Sequence, residues 1–330
     1  MIDQLDQLEQ AGARFVPAGA ALSLASFVIT VACNVPRNNA RGRDGTRCGH
    51  SHRSPAWPRT AWRPTAEPVS NPAWSTTTVP GMETSEETLE ARTDDGDMAV
   101  VVTQPVDDQG GGGDWPTVVL FIDAPGLRPA THDFMARMAA HGYRVITPDL
   151  HHRHGRLLHY EPKDAAADPD ARPTIMGWIA SMTDDQVQHD AARALDAAGV
   201  GDDTSYAVIG FCLGARAVYR AMERDPDRVV CGAGWHPSFL ADDEPNSPHL
   251  AAAGLVRPLY LGIGEADEVQ SIAMHQRFLD AVAGLDHVEV ITFPGADHGY
   301  TWPGYPTYDE NAAQTSWTKT LAMFERAFGG

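Results

Sequence analysis

The stretch "AVIGFCLGARAVY", residues 207–219, runs an apolar strand pattern into a helical one through Gly210-Phe211-Cys212-Leu213-Gly214. A glycine two residues to either side of a central nucleophile marks the tight strand-to-helix turn called a nucleophile elbow, here with cysteine in the central place. Side chains at the two glycine positions would strike the neighbouring strand and helix. The turn is expected to present the thiol at the top of a sheet, over a helix N-terminus whose free amides favour a thiolate. The competing reading is a small structural residue at a buried glycine-rich turn.

Working outward, the surrounding chain alternates strand and helix patterns. "TLEARTDDGDMAVVVTQP" (88–105) reads as two strands around an Asp-Gly turn, and "TVVLFID" (117–123) as a strand buried on both faces. "ATHDFMARMAAHGY" (130–143) has helical spacing and "RVITPDL" (144–150) is the next strand. Residues 151–182 read as a long loop. The amphipathic helix "TDDQVQHDAARALDAAGV" (183–200) follows, and strand–helix alternation then continues through "VVCGAGWH", "RPLYLGIG", "SIAMHQRFLDAVAG" and "HVEVITFPG" to the final helix "YDENAAQTSWTKTLAMFERAF" (308–328). This order predicts an α/β fold, a mainly parallel sheet with helices on both faces. Active residues in such sheets gather at the carboxyl ends of strands.

Two further residues follow strand ends there. Asp267 lies in "GEADEV" (264–269) and His298 in "GADHGY" (295–300), so the chain order nucleophile, acid, base is Cys212, Asp267, His298. An imidazole beside the thiol takes its proton, and a carboxylate on the other ring nitrogen fixes the tautomer. Glu265 and Glu268 compete for the acid's role, and Asp297 adjoins the base. An oxyanion hole is expected from the backbone N–H groups of Leu213 and of Ala124, the residue after the strand ending in Asp123. Pro125 has no N–H to give. The Asp123 carboxylate is placed to approach the thiol, or to cap its own turn.

These motifs, with "GFCLGAR" (210–216), "HGYRVITPDLHHRHG" (141–155) and "DAPGLRP" (123–129), resemble the dienelactone hydrolase family of α/β-hydrolases over about residues 82–328. The resemblance implies the α/β-hydrolase fold, hydrolysis of a small ester or lactone, Cys212 as nucleophile, His298 as base and Asp267 as its orienter, with no metal or organic cofactor. It also implies a thiol-contacting role for Asp123, where the family often has the longer glutamate. The family's well-studied members carry an arginine four residues past the histidine to grip a substrate carboxylate; here that position is Trp302. Arg172 is the substitute candidate for binding a carboxylate, since guanidinium pairs with it in two parallel bonds. Trp302, Tyr300 and Trp235 are candidates for an apolar pocket wall, and a neutral substrate is the corresponding expectation. A thioesterase or broad carboxylesterase on the same triad is the alternative activity; a binding protein that kept the fold is the alternative class.

Other features carry less. "WHPSFLADDEPNSPHL" (235–250) reads as part of a lid with His236 at its base, its acids solvated. His151, His152, His154 and His159 read as a loop at the site's rim rather than a metal cluster, and Cys231, inside an apolar strand, as inert. The 330 residues carry a net charge of −19, which argues against a nucleic-acid partner. Four cysteines without paired spacing point to a reducing, cytoplasmic setting.

Residues 1–81 differ in character. They hold eight arginines against five acids, and residues 34–81 are rich in Pro, Arg, Ser, Thr and Asn without a period. Such a segment reads as disordered, Cys48, His50 and His52 included. The apolar run at 15–33 is close to a membrane span in length, but the acidic "MIDQLDQLEQ" before it is wrong for a signal peptide. An over-extended translation start, with the catalytic domain opening at Met82, is the simpler reading; a genuine tail or anchor is the other.

Overall fold

The computed structural model describes residues 82–106 and 113–329. The expectations for residues 1–81, among them the apolar run and its membrane alternative, lie outside the described residues. Among those described, no helix is long and apolar enough to cross a membrane.

Eight strands form one sheet in the order β1-β2-β4-β3-β5-β6-β7-β8. They are β1 (Thr84–Thr93), β2 (Gly96–Pro105), β3 (Thr117–Phe121), β4 (Arg144–Pro148), β5 (Tyr206–Phe211), β6 (Val229–Trp235), β7 (Leu259–Gly264) and β8 (Val288–Phe293). β1 pairs with β2 and β2 with β4 antiparallel; every other pairing is parallel. The central β3 and β5 are buried along their whole length, which explains their unbroken apolar runs.

Helices cover both faces. α1 (Pro129–Ala140) and the final helix, α7 (Glu310–Phe328), share one face. There Phe134 of α1 meets Trp317 of α7 edge-on at 5.3 Å, and Phe211 and Trp235 from the sheet at 5.0 and 5.5 Å. On the other face α5 (Leu213–Arg224) lies against β5 and β6, between α4 (Asp184–Ala197) and α6 (Ile272–Val282). α4 begins with a reciprocal cap in which Thr183 Oγ1 accepts the Gln186 N–H and Gln186 Oε1 accepts the Thr183 N–H.

The expected long loop at 151–182 contains two helices, α2 (Pro162–Ala167) and α3 (Ala171–Ala180). Their prolines and a glycine look like breakers in sequence. Pro162 and Pro173 both fall in a first turn, where no intrahelical N–H bond is lost. In α3, Ile175, Trp178 and Ile179 face inward and are buried.

Strand register sets the site. Phe121 pairs with Gly210, Phe211 with Trp235, Trp235 with Gly262, and Gly264 with Phe293. The carboxyl ends of β3, β5, β6, β7 and β8 therefore align along one edge of the sheet. The loops leaving them carry Asp123, Cys212, His236, Asp267 and His298.

Candidate active site

Cys212 stands alone between β5 and α5, with φ +55° and ψ −118°. A non-glycine residue rarely adopts that conformation, and it persists only where its surroundings enforce it. The enforcement is steric. A Cβ on Gly210 would lie 2.2 Å from the Gly214 carbonyl oxygen, and one on Gly214 2.3 Å from that of Phe121. Leu213, first residue of α5, has an N–H with no partner inside its own helix. Cys212 is only 2% exposed, however. Rather than standing free above the sheet, it lies in an apolar cluster with Ala124, Ile175, Trp178, Ile179, Leu213 and Val269. α3 forms the roof.

The loops after β7 and β8 bring the other two residues together. His298 Nδ1 is 2.7 Å from Asp267 Oδ2. The second oxygen of Asp267 accepts the backbone N–H groups of Val269 (2.9 Å) and Gln270 (2.7 Å), so the carboxylate is fixed before the ring arrives. Burial works against a charge on His298, yet the Asp267 carboxylate and the adjacent Cys212 sulfur together hold its imidazolium well above the usual histidine range. Of the competing acids, Glu265 accepts from Thr292 Oγ1, Glu268 is exposed, and Asp297 accepts the backbone N–H of His298 at 2.7 Å.

Ala124 follows β3 at 1% exposure, and its carbonyl accepts His151 Nε2 at 3.0 Å. Burial pushes the His151 imidazole down to about 4, so it is neutral near pH 7 and free to donate from Nε2. A neutral ring thus fixes the peptide that precedes Pro125.

Asp123 does not reach toward the thiol. Both its oxygens meet the Arg128 guanidinium, at 2.6 and 2.7 Å, and Trp302 Nε1 donates to Oδ2 at 3.1 Å. Arg128 is itself 1% exposed, and its Nε donates to Tyr305 Oη, which in turn donates to Glu161 Oε2. Burial opposes the charge on Arg128, and the Asp123 carboxylate more than offsets it. This network joins the loops after β3 and β8 to the start of α2.

The remaining expected residues divide. Trp302 and Tyr300 are buried in packed structure rather than lining an open wall. Trp302 tilts against Phe211 at 4.8 Å, and Tyr300 Oη donates to the Gly262 carbonyl. Trp235 is likewise in the core, its Nε1 donating to Thr320. Arg172 is exposed in the first turn of α3. His236, 1% exposed and at φ +39°, has its ring 4.9 Å from that of His298. Burial, then the neighbouring His298 charge, keep it neutral. The chain beyond it is not a free acidic lid, because Arg216 of α5 binds the Phe239 carbonyl and Asp242 while pairing twice with Asp184. Burial pushes the Cys231 thiol up to about 12. Among the described residues no group of histidines, cysteines and acids is arranged to hold a metal.

Sequence reasoning missed Ser238, Arg128 and Trp178. Arg128 had one visible signal, an arginine five residues after Asp123 in "DAPGLRP". Ser238 and Trp178 had none, since only the fold brings them to Cys212.

A mainly parallel sheet with helices on both faces and a left-handed strand-to-helix turn at Cys212 is the α/β-hydrolase fold. The sequence model of the dienelactone hydrolase family matches residues 98–328, and the chain belongs to that family. It is 28% identical over 224 residues to the carboxymethylenebutenolidase of Rhodococcus opacus, covering 66% of this chain and 82% of that one. A provisionally named carboxymethylenebutenolidase of Escherichia coli O157:H7 is 26% identical over 226 residues, 66% of this chain and 79% of the relative. Among solved structures, a dienelactone hydrolase-like promiscuous phosphotriesterase from metagenomic libraries superposes with a TM-score of 0.58 at 22% identity, covering 74% of this chain and 98% of the other. A provisionally assigned dienelactone hydrolase of Klebsiella pneumoniae gives 0.63 at 23% identity, over 74% and 99%.

Proposed function

We propose that this hydrolase of ester and lactone bonds works through a Cys212–His298–Asp267 triad and an acyl-thioester intermediate, carried by a catalytic domain spanning residues 82–330. In this scheme His298 holds the Cys212 proton as an ion pair and Asp267 fixes the ring. The thiolate attacks the substrate carbonyl, and the N–H groups of Leu213 and Ala124 receive the oxyanion. His298 returns the proton to the departing alcohol. It then takes one from water, whose oxygen cleaves the thioester, releases the acid and restores the thiolate–imidazolium pair. The scheme calls for no metal or organic cofactor.

The observation that carries this reading is the pairing of a left-handed Cys212 with a neighbouring imidazolium already oriented by a saturated carboxylate. The apolar roof of Ile175, Trp178 and Ile179 favours a neutral substrate with an apolar acyl part, the carboxylesterase side of the family's chemistry. Trp302 in the expected arginine's place and the exposure of Arg172 point the same way. A free Cys212 and Cys231 are consistent with a cytoplasmic enzyme.

Cys212→Ala is expected to lower hydrolysis of neutral aryl esters and lactones by about 10⁴-fold or more while leaving the circular dichroism spectrum unchanged. Unchanged hydrolysis in that variant would remove Cys212 as nucleophile. A wild-type protein inactive on both acidic and neutral panels would favour the binding-protein reading.

A further inference from the structure

The thiol has a close polar neighbour outside the triad. Ser238 Oγ lies 3.3 Å from Cys212 Sγ, and Ser238 is 0% exposed. That contact is the hydroxyl's one hydrogen bond among the described residues. The serine is tied to the elbow a second time, since its N–H donates to the Cys212 carbonyl at 2.9 Å.

The backbone that delivers it is strained and held. His236 at φ +39° and Phe239 at φ +59° flank it in the left-handed region, which non-glycine residues rarely adopt. Four bonds hold the segment there. The His236 N–H donates to the Gly262 carbonyl at 2.8 Å, the Ser238 N–H to Cys212, the Phe239 N–H to Gln270 Oε1 at 3.0 Å, and Arg216 to the Phe239 carbonyl. Gln270 also donates its own N–H to Asp267. A run of bonds therefore leads from the sulfur through Ser238, Phe239 and Gln270 to Asp267 and His298, closing a ring around the triad.

We propose that Ser238 is a further catalytic residue, the hydroxyl donor that holds the resting Cys212 thiolate in the place expected of Asp123. This rests on the triad reading above. Asp123 is unable to serve, because Arg128 and Trp302 occupy its carboxylate. A carboxylate would also repel a thiolate or bind a thiol, whereas a hydroxyl donates to the anion. Either atom can donate across this contact; in the ion pair of the proposed triad the sulfur carries no hydrogen, so there the serine is the donor. The donor stabilises the thiolate before attack and again when the thioester breaks and the sulfur recovers its charge. It forms and breaks no covalent bond.

The test is the pH profile of iodoacetamide alkylation, followed at Cys212 by peptide mass spectrometry in the full-length protein. The plateau rate reports access to the sulfur, and the midpoint reports the thiolate. Removing a hydrogen bond to a charged group should move the Ser238→Ala midpoint up by about one to two pH units. The acid limb of kcat/KM should move with it. Ser238→Thr, which keeps the hydroxyl, should restore the wild-type midpoint. If alanine destabilises the fold, the isosteric Ser238→Thr and Ser238→Val pair makes the same comparison. An unchanged midpoint in the variants lacking the hydroxyl would overturn the role of Ser238. A wild-type Cys212 that shows no pH-dependent alkylation would instead overturn the triad reading.

Discussion

At the scale of single residues, the site depends on where a side chain is forbidden. Gly214 is the sharpest case: an added Cβ would lie 2.3 Å from the Phe121 oxygen and 2.8 Å from that of Ile122, both rigid backbone. Gly214→Ala is expected to cost about 3 kcal/mol by overpacking, a loss of roughly 6–12 °C in Tm for a domain of this size, checked by thermal unfolding. The elbow was legible in sequence because its steric demand acts within a few residues of Cys212. Asp123 was legible as a strand-end acid but not in its pairing. A carboxylate takes whichever cation the fold supplies, and Arg128 reaches it only when the turn after β3 curls back. Ser238 was invisible for the same reason, since it meets Cys212 across two parallel strands rather than along the chain.

At the scale of elements, the strands were readable because β3, β5 and β7 are buried on both faces and need unbroken apolar runs. Helices α2 and α3 were not, because Pro162, Pro173 and Gly177 look like a loop when their positions within a turn are unknown. The segment after β6 owes its position to ion pairs that no local pattern reveals. Arg216 links Asp184 of α4, its own helix α5, and Phe239 and Asp242 beyond β6. Its partial exposure places the cost of Arg216→Ala at about 2–3 kcal/mol, below that of a fully buried pair. The variant should also loosen the segment at Phe239 and lower kcat for neutral esters more than it raises KM. Urea unfolding and steady-state kinetics check the two parts.

For the whole molecule, several buried histidines make stability depend on pH. Burial lowers both His151 and His275 from 6.5 to about 4, and holds His236 well below its usual range. A group whose folded value is depressed contributes fully above its unfolded value and loses that contribution as pH falls. Stability should therefore decline between about pH 6.5 and pH 4, by on the order of a few kcal/mol in all, as the unfolded chain takes up protons that the folded one refuses. His298 acts in the opposite sense. Its raised value adds stability that is complete below 6.5 and fades as pH climbs through the folded value, so it does not flatten the acid decline. Urea midpoints at pH 7.5, 6 and about 4.5 measure the slope, and a flat profile would contradict the burial of these rings.

The roof over Cys212 has a consequence for what the sulfur encounters between turnovers. A small polar molecule that parts Trp178, Ile175 and Ile179 from Leu213 and Val269 covers little of the apolar surface it opens, so its entry is slowed. A greasy ester replaces every contact that it displaces. Under the proposed scheme the ceiling therefore acts as a filter, favouring visitors whose own apolar surface replaces what they push aside.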